Sequence, residues 1–217
     1  MIKKSLLALV VAGSMVAGAQ AASPNGYLFA NIGQSDADAS RFGRALDEIA
    51  DDVAFELDLE GRSSFDKKDS AFKIGAGIQL NQHVALEFQY LDLGEIAYKA
   101  VGRNEDLTGS LRASAGTDGF GANLVGTLPF DRFKLFGKIG YHKLKTEARY
   151  TEALTFEGET FSFRASDSAN EWITSFGVGA SYAFTPAVEL VAEYERYRDV
   201  GDEYDVDFAS VGLRYNF

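Results

Sequence analysis

The sequence predicts an all-β protein: eight antiparallel strands closed into a transmembrane β-barrel, with short turns at one end and long loops at the other. Three observations carry this. Eight stretches alternate apolar and polar residues with period two, the spacing at which successive side chains leave a strand on opposite faces. Each apolar face persists for about 8 to 11 residues, the length a tilted strand needs to cross a bilayer. The opposite faces carry Lys73, Glu87, Lys138, Glu189, Glu193 and Arg214 beside mid-strand glycines, which suits a narrow interior where glycines make room for long, paired charges.

The elements follow in order. Lys3 and Lys4, the apolar run Leu6 to Val11 and the small-x-small sequence Ala19-Gln-Ala21 fit a secretion signal, so residues 1–21 are expected to be cleaved and 22–217 to form the barrel domain. The first strand, Gly26 to Gln34, sets Leu28, Ala30 and Ile32 against Tyr27, Phe29 and Asn31. The second, Phe72 to Leu80, sets Phe72, Ile74, Ala76 and Ile78 against Lys73, Gly75, Gly77 and Gln79, and turns at Asn81-Gln-His83. Val84 to Leu91 places Glu87 and Gln89 opposite Leu86, Phe88 and Tyr90.

The fourth strand, Phe120 to Leu128, directs Asn123, Val125 and Thr127 inward and turns at Pro129 to Arg132. In the fifth, Phe133 to His142, Lys134, Phe136, Lys138 and His142 share the inner face. Trp172 to Phe184 forms the sixth, with Ser175, Gly177, Gly179 and Ser181 inside and Thr185-Pro186 as its turn. Glu189, Val191, Glu193 and Glu195 face inward on the seventh, and Ala209 to Phe217 is the eighth, its apolar face ending on Tyr215 and Phe217. Pairing of that last strand with the first would leave no backbone edge in lipid.

On the apolar faces, Phe72, Tyr90, Phe120, Tyr141, Trp172 and Tyr194 lie near one end of the span, with Tyr182, Phe184, Tyr215 and Phe217 near the other. These read as two aromatic girdles at the membrane interfaces. A soluble sandwich or lipocalin-like barrel would also alternate, but it would turn the apolar face inward and leave the charged face, with its glycines, to water.

Cysteine is absent, which excludes disulfides and thiolate chemistry. The net charge is −11, and −13 once Lys3 and Lys4 leave with the signal, a balance that argues against nucleic acid or anionic-lipid patches as partners. Residues 35–69 hold 11 acids against 5 bases. Within them, Phe42, Ala45, Leu46, Ile49, Ala50 and Val53 have helical spacing, so an amphipathic helix over Arg41 to Phe55 is placed to cap the barrel mouth. Glu56, Asp58 and Glu60 alternate as divalent-cation ligands could, but they lack the glycine-bent spacing of a calcium loop, so a solvated acidic surface is expected rather than a metal site.

The stretches Asn81-Gln-His-Val-Ala-Leu-Glu-Phe-Gln-Tyr-Leu-Asp-Leu-Gly94, Gly177-Val-Gly-Ala-Ser-Tyr-Ala-Phe-Thr-Pro186 and Arg214-Tyr-Asn-Phe217 resemble the eight-stranded barrel domain of OmpA-type outer-membrane proteins. The resemblance covers about Gly26 to Phe217 outside the long loops, without the peptidoglycan-binding domain that follows many such barrels. It implies a bacterial outer membrane, termini in the periplasm, and insertion by the barrel-assembly machinery guided by the terminal strand. By the same resemblance Glu87, Lys138 and Arg214 match inward charged positions, whereas Ser181 and Val191 depart from the family's glutamate and arginine, which puts a gating charge exchange in doubt.

The resulting expectation is a monomeric, non-enzymatic protein without cofactor, set in outer-membrane lipid and lipopolysaccharide. It would support envelope integrity or surface interactions through loops whose ligand the sequence does not name. A lumen network of Glu87 with Lys138 or Arg214, and of Glu189 with Arg214, together with Glu193, is expected to seal the interior. A narrow or gated channel is the alternative, and a lipid-modifying enzyme a further one. For the latter His83 lies in a turn on the wrong side, and His142-Lys-Leu-Lys145 offers no serine two residues on.

Overall fold

The computed structural model describes residues 26–201 and 204–217. The expected signal at 1–21 and the Phe42 side chain lie outside what is described. The elements are β1 (Gly26–Ala37), α1 (Ser40–Glu56), β2 (Glu60–Asp66), β3 (Lys68–Asn81), β4 (Val84–Arg103), β5 (Leu107–Phe130), β6 (Phe133–Phe156), β7 (Glu159–Ala183), β8 (Val188–Val200) and β9 (Tyr204–Asn216). Every strand pairing is antiparallel. Eight strands close a ring in the order β1-β3-β4-β5-β6-β7-β8-β9, with β9 returning to β1, and β2 adds to β4 outside the ring.

Register partners fix the barrel's shape. From Tyr27 they run through Gly77, Glu87, Asn123, Gly140, Ser175, Tyr197 and Val206, and reach β1 again at Ala37, ten residues further along. A stagger of ten over eight strands corresponds to a strand tilt of about 40°. The ten steps from Trp172 to Tyr182 then rise about 25 Å along the barrel axis, the height of a lipid-facing apolar band. Side chains on that band, such as Ile78, Phe88, Leu124, Ile139, Val178 and Leu213, are exposed, as lipid contact requires. Among the described residues no helix is long and apolar enough to cross a membrane.

Both girdles are ordered. Tyr141 stacks on Trp172 with ring centroids 4.9 Å apart, and Phe72 meets Tyr90, whose hydroxyl donates to Asp118 at 3.1 Å. At the short-turn end Tyr182 meets Phe184, and Tyr215 meets Phe217.

The connections at the other end differ from the expectation of loops. The polar residues Asp92, Asp118, Lys143 and Asn170 mark where the lipid-facing band ends, and the ladder runs on past them. β5 and β6 pair without interruption from Phe130↔Phe133 to Leu107↔Phe156, and β6 and β7 from Phe133↔Tyr182 to Phe156↔Glu159. The β6–β7 hairpin closes on Glu157 and Gly158, both with positive φ, the two-residue turn whose twist matches its strands. Sequence patterning misses these extensions because β7 is exposed on both faces from Glu159 to Asn170 and the outer faces of β4–β6 meet water rather than lipid, so strict alternation is no longer enforced.

β4 changes partner where it leaves the membrane band. Its register slips between Asp92 and Glu95, with Gly94 at φ +79° donating its N–H to Asp92. Below the bulge β3 lies beside β4, and above it β2 takes that edge, from Asp66↔Ala97 to Glu60↔Arg103. α1 forms as its periodicity predicts and buries Leu46 against Tyr98, Ala100 and Ala113 on the face continuous with the lumen. Tyr98 donates to Asp47 at 2.8 Å and fixes the helix there.

Candidate functional site

The lumen is the first candidate, and alternation alone decides which side chains enter it. It is filled in layers. Nearest the short turns, Glu189 takes Lys134 at 2.5 Å and accepts hydrogen bonds from Ser181 at 2.8 Å and Asn216 at 2.9 Å. Arg214 is the register partner of Glu189, yet its guanidinium lies 3.9 Å from that carboxylate and 3.2 Å from Glu87. Glu87 also receives the Tyr27 hydroxyl at 2.8 Å and Lys138 at 2.7 Å.

Glu193 lies 3.0 Å from Lys138 and pairs with Lys73, which reaches Glu195 as well. The four bases Lys73, Lys134, Lys138 and Arg214 thus face the four acids Glu87, Glu189, Glu193 and Glu195. Packed through this network is an apolar layer of Tyr27, Phe29, Ala85, Val125, Phe136 and Val191. Lys138 lies over the Phe29 and Phe136 rings, and Arg214 over Tyr27 and Phe136. Such contacts give desolvated cations a second partner.

Above the charges, His142 contacts Gln89 at 3.1 Å, Ser175 at 3.4 Å and the Tyr197 ring edge-on. A Cβ at Gly121 or Gly140 would run into the imidazole, so these two glycines make its space. None of the partners in its hydrogen bonds is a carboxylate, and its ring has no solvent exposure. A second apolar layer, including Leu91, Leu93, Ile96, Leu144, Ile173, Tyr197, Val206 and Phe208, closes the lumen above it.

Of the residues expected in the network, the structure links Arg214 to Glu87, Glu87 to Lys138 and Lys138 to Glu193, while Glu189 gathers around Lys134 more closely than around Arg214. Lys73, Lys134 and Glu195 complete it. Their inward parity is readable from alternation, but their partners are not, because contacts across the lumen depend on stagger. Among the described residues no cluster of three His, Cys, Asp or Glu is arranged to hold a metal ion. His83 sits exposed at its turn, near the Thr127 carbonyl.

The second candidate lies above the membrane band, between α1 and the extended β4–β5–β6 wall. Ile49, Val53, Ala54, Leu59, Leu111, Tyr150 and Leu154 line a groove of about 190 Å³, with Asp51, Glu152 and Arg62 among its polar lining.

Comparison with known proteins supplies the context for both sites. No curated protein matches the sequence. The chain resembles the solved structure of Neisserial surface protein A, at 15% identity and a TM-score of 0.50, covering 89% of this chain and 97% of that one. It also resembles OprG of Pseudomonas aeruginosa, at 10% identity, a TM-score of 0.47 and coverage of 89% and 96%. The attachment invasion locus protein Ail of Yersinia pestis matches at 16% identity, with a TM-score of 0.43 and coverage of 89% and 99%. At the level of sequence, the outer membrane protein beta-barrel domain family matches residues 5–217. With the closed ring, the two aromatic girdles and the lipid-facing band, this shows that the chain belongs to that family and resides in the bacterial outer membrane.

Proposed function

We propose that the protein is a non-enzymatic element of the outer membrane that supports envelope integrity and meets extracellular partners through its projecting cap. The observation that carries this reading is the filled lumen: two apolar layers and a balanced charge network occupy it, while β4–β7, β2 and α1 build an ordered surface outside. Eight strands leave little more room than side chains need. The same packing argues against catalysis, because His142 lies sealed beneath the upper layer, without a carboxylate to orient it.

Residues 1–21 serve export on this reading and are removed, which N-terminal sequencing of the membrane-bound protein checks. Outer-membrane lipid and lipopolysaccharide surround the barrel, and the assembly machinery reads its last strand. Planar-bilayer recording on the purified protein is expected to give no stable, ion-selective steps; stable steps would favour a channel. Strains in which residues 41–62 and 146–168 are replaced by short turns should retain the barrel. They should lose surface adhesion or leak detergent, and wild-type behaviour in both assays would defeat the proposal.

A further inference from the structure

The cap presents an apolar groove with Asp51, Glu152 and Arg62 among its polar lining, beside the exposed acidic face of α1. α1 supplies one wall through Ile49, Val53 and Ala54, and Leu111, Tyr150 and Leu154 of β5 and β6 supply the other. The apolar surface continues onto β7, where Phe161 opposes Leu154 in register and the Phe163 ring meets Tyr150. Those two phenylalanines are 66% and 61% exposed, and Ile49 is 50% exposed. Contiguous exposed apolar surface with a polar rim marks a site of association.

The flanking acids select the partner. Glu48, Asp51, Asp52 and Glu56 project from α1 and are exposed, and Glu157 and Glu159 stand at the tip of the β6–β7 hairpin. None of these six makes an ion pair with a described residue, whereas Asp47 on the same helix is engaged by Tyr98. Arg62 is the single base in the groove lining. Unpaired like charges beside a concave apolar surface attract a partner of opposite charge and speed its encounter.

We infer that this groove docks a cationic polypeptide segment from outside the cell, with one or two large apolar side chains as anchors and lysine or arginine facing the flanking acids. The groove volume is that of about one large side chain, the scale of an anchor pocket at a protein interface. The acidic flank disfavours a lipid phosphate, and a second copy of this acidic chain would bring like charges together. The inference rests on the surface-interaction reading and adds a ligand chemistry to it.

The test uses the whole barrel in phosphatidylcholine nanodiscs and a fluorescein-labelled (Lys-Leu)6 peptide, with (Glu-Leu)6 and (Lys-Ser)6 as controls, read by anisotropy. Saturable binding above that to empty nanodiscs is expected, with each control peptide about tenfold weaker or worse. Ala54→Trp fills the groove and should weaken (Lys-Leu)6 by about tenfold. The exposed combination Glu48→Gln, Asp51→Asn, Asp52→Asn and Glu56→Gln should do the same without touching the packed face, and adding salt should weaken the wild type more than this neutralised variant. Equal binding of (Glu-Leu)6, indifference to both variants, or equal uptake by empty nanodiscs would overturn the inference. So would groove-dependent self-association in the absence of peptide. If the peptide fails to bind while cap-deleted strains lose adhesion, the ligand assignment falls and the broader reading stands.

Discussion

Lys73 shows how much one inward position carries. Its ammonium is fully buried and is held by Glu193 and Glu195, and Glu195 has the Tyr197 hydroxyl at 3.2 Å as a further partner. Lys73→Met would leave Glu195 with that hydroxyl alone and Glu193 with Lys138. Stranding a buried charge in this way costs about 3–5 kcal/mol, more than the intact network contributes over an apolar filling. Urea unfolding of the folded barrel in detergent should therefore show K73M well below wild type. Adding Glu195→Leu should recover most of the loss, and a K73M barrel as stable as wild type would show that the network is not what holds this layer. Period-two alternation made the parity of Lys73 and Glu195 legible in the sequence. Their pairing was not, because β3 and β8 are not neighbours and meet only across a lumen whose width and stagger come from closing the ring.

At the scale of elements, the membrane band and the cap obey different rules. Within the band, one face meets lipid and the other the lumen, so a one-residue slip would expose every charge, and the pattern is strict. That is why the strands were legible there, with their short turns. Above Asp92, Asp118 and Lys143 water reaches the outer face, alternation relaxes, and the extensions of β4–β7, with β2, could not be read from pattern alone. α1 was legible because its stripe still has one apolar surface to cover. Burial and the hydrogen bond to Asp47 push the Tyr98 phenol up to about 12, from 10.0 when free. The docked cap then keeps a proton that the undocked segment releases, so docking is unaffected below about pH 10 and weakens as pH rises from about 10 to 12. Limited proteolysis between residues 41 and 62 should accelerate over that window in the wild type. In Tyr98→Phe the hydrogen bond is already lost, so cleavage should be faster at neutral pH and flat through the window; a parallel rise in both proteins would remove Tyr98 as the cause.

For the whole molecule the governing fact is closure, which joins the first strand to the last. β1 pairs β9 from Tyr27↔Asn216 to Ala37↔Val206, and the Phe217 N–H donates to the Gly26 carbonyl at 3.0 Å. Contacts of such sequence separation form late, after the loop entropy of nearly the full chain has been overcome. A residue whose role is to guide that closure is therefore a kinetic element, whereas one that fills the finished lumen is a thermodynamic element. Phe217 lies at the interface girdle beside Tyr215, where its ring covers Gly26, and its removal leaves the rest of the β1–β9 ladder in place. Arg214 lies three residues earlier and inward, between Glu87 and Glu189, so its neutralisation leaves the terminal aromatic pair intact and takes a cationic partner from two buried carboxylates. Deleting Phe217 should thus slow appearance of the heat-modifiable folded form in vivo while barrels that do fold resist urea nearly as wild type. Arg214→Gln should insert at the normal rate and unfold at lower urea. Finding both variants defective in the same assay would mean that closing the ring and filling it are one event.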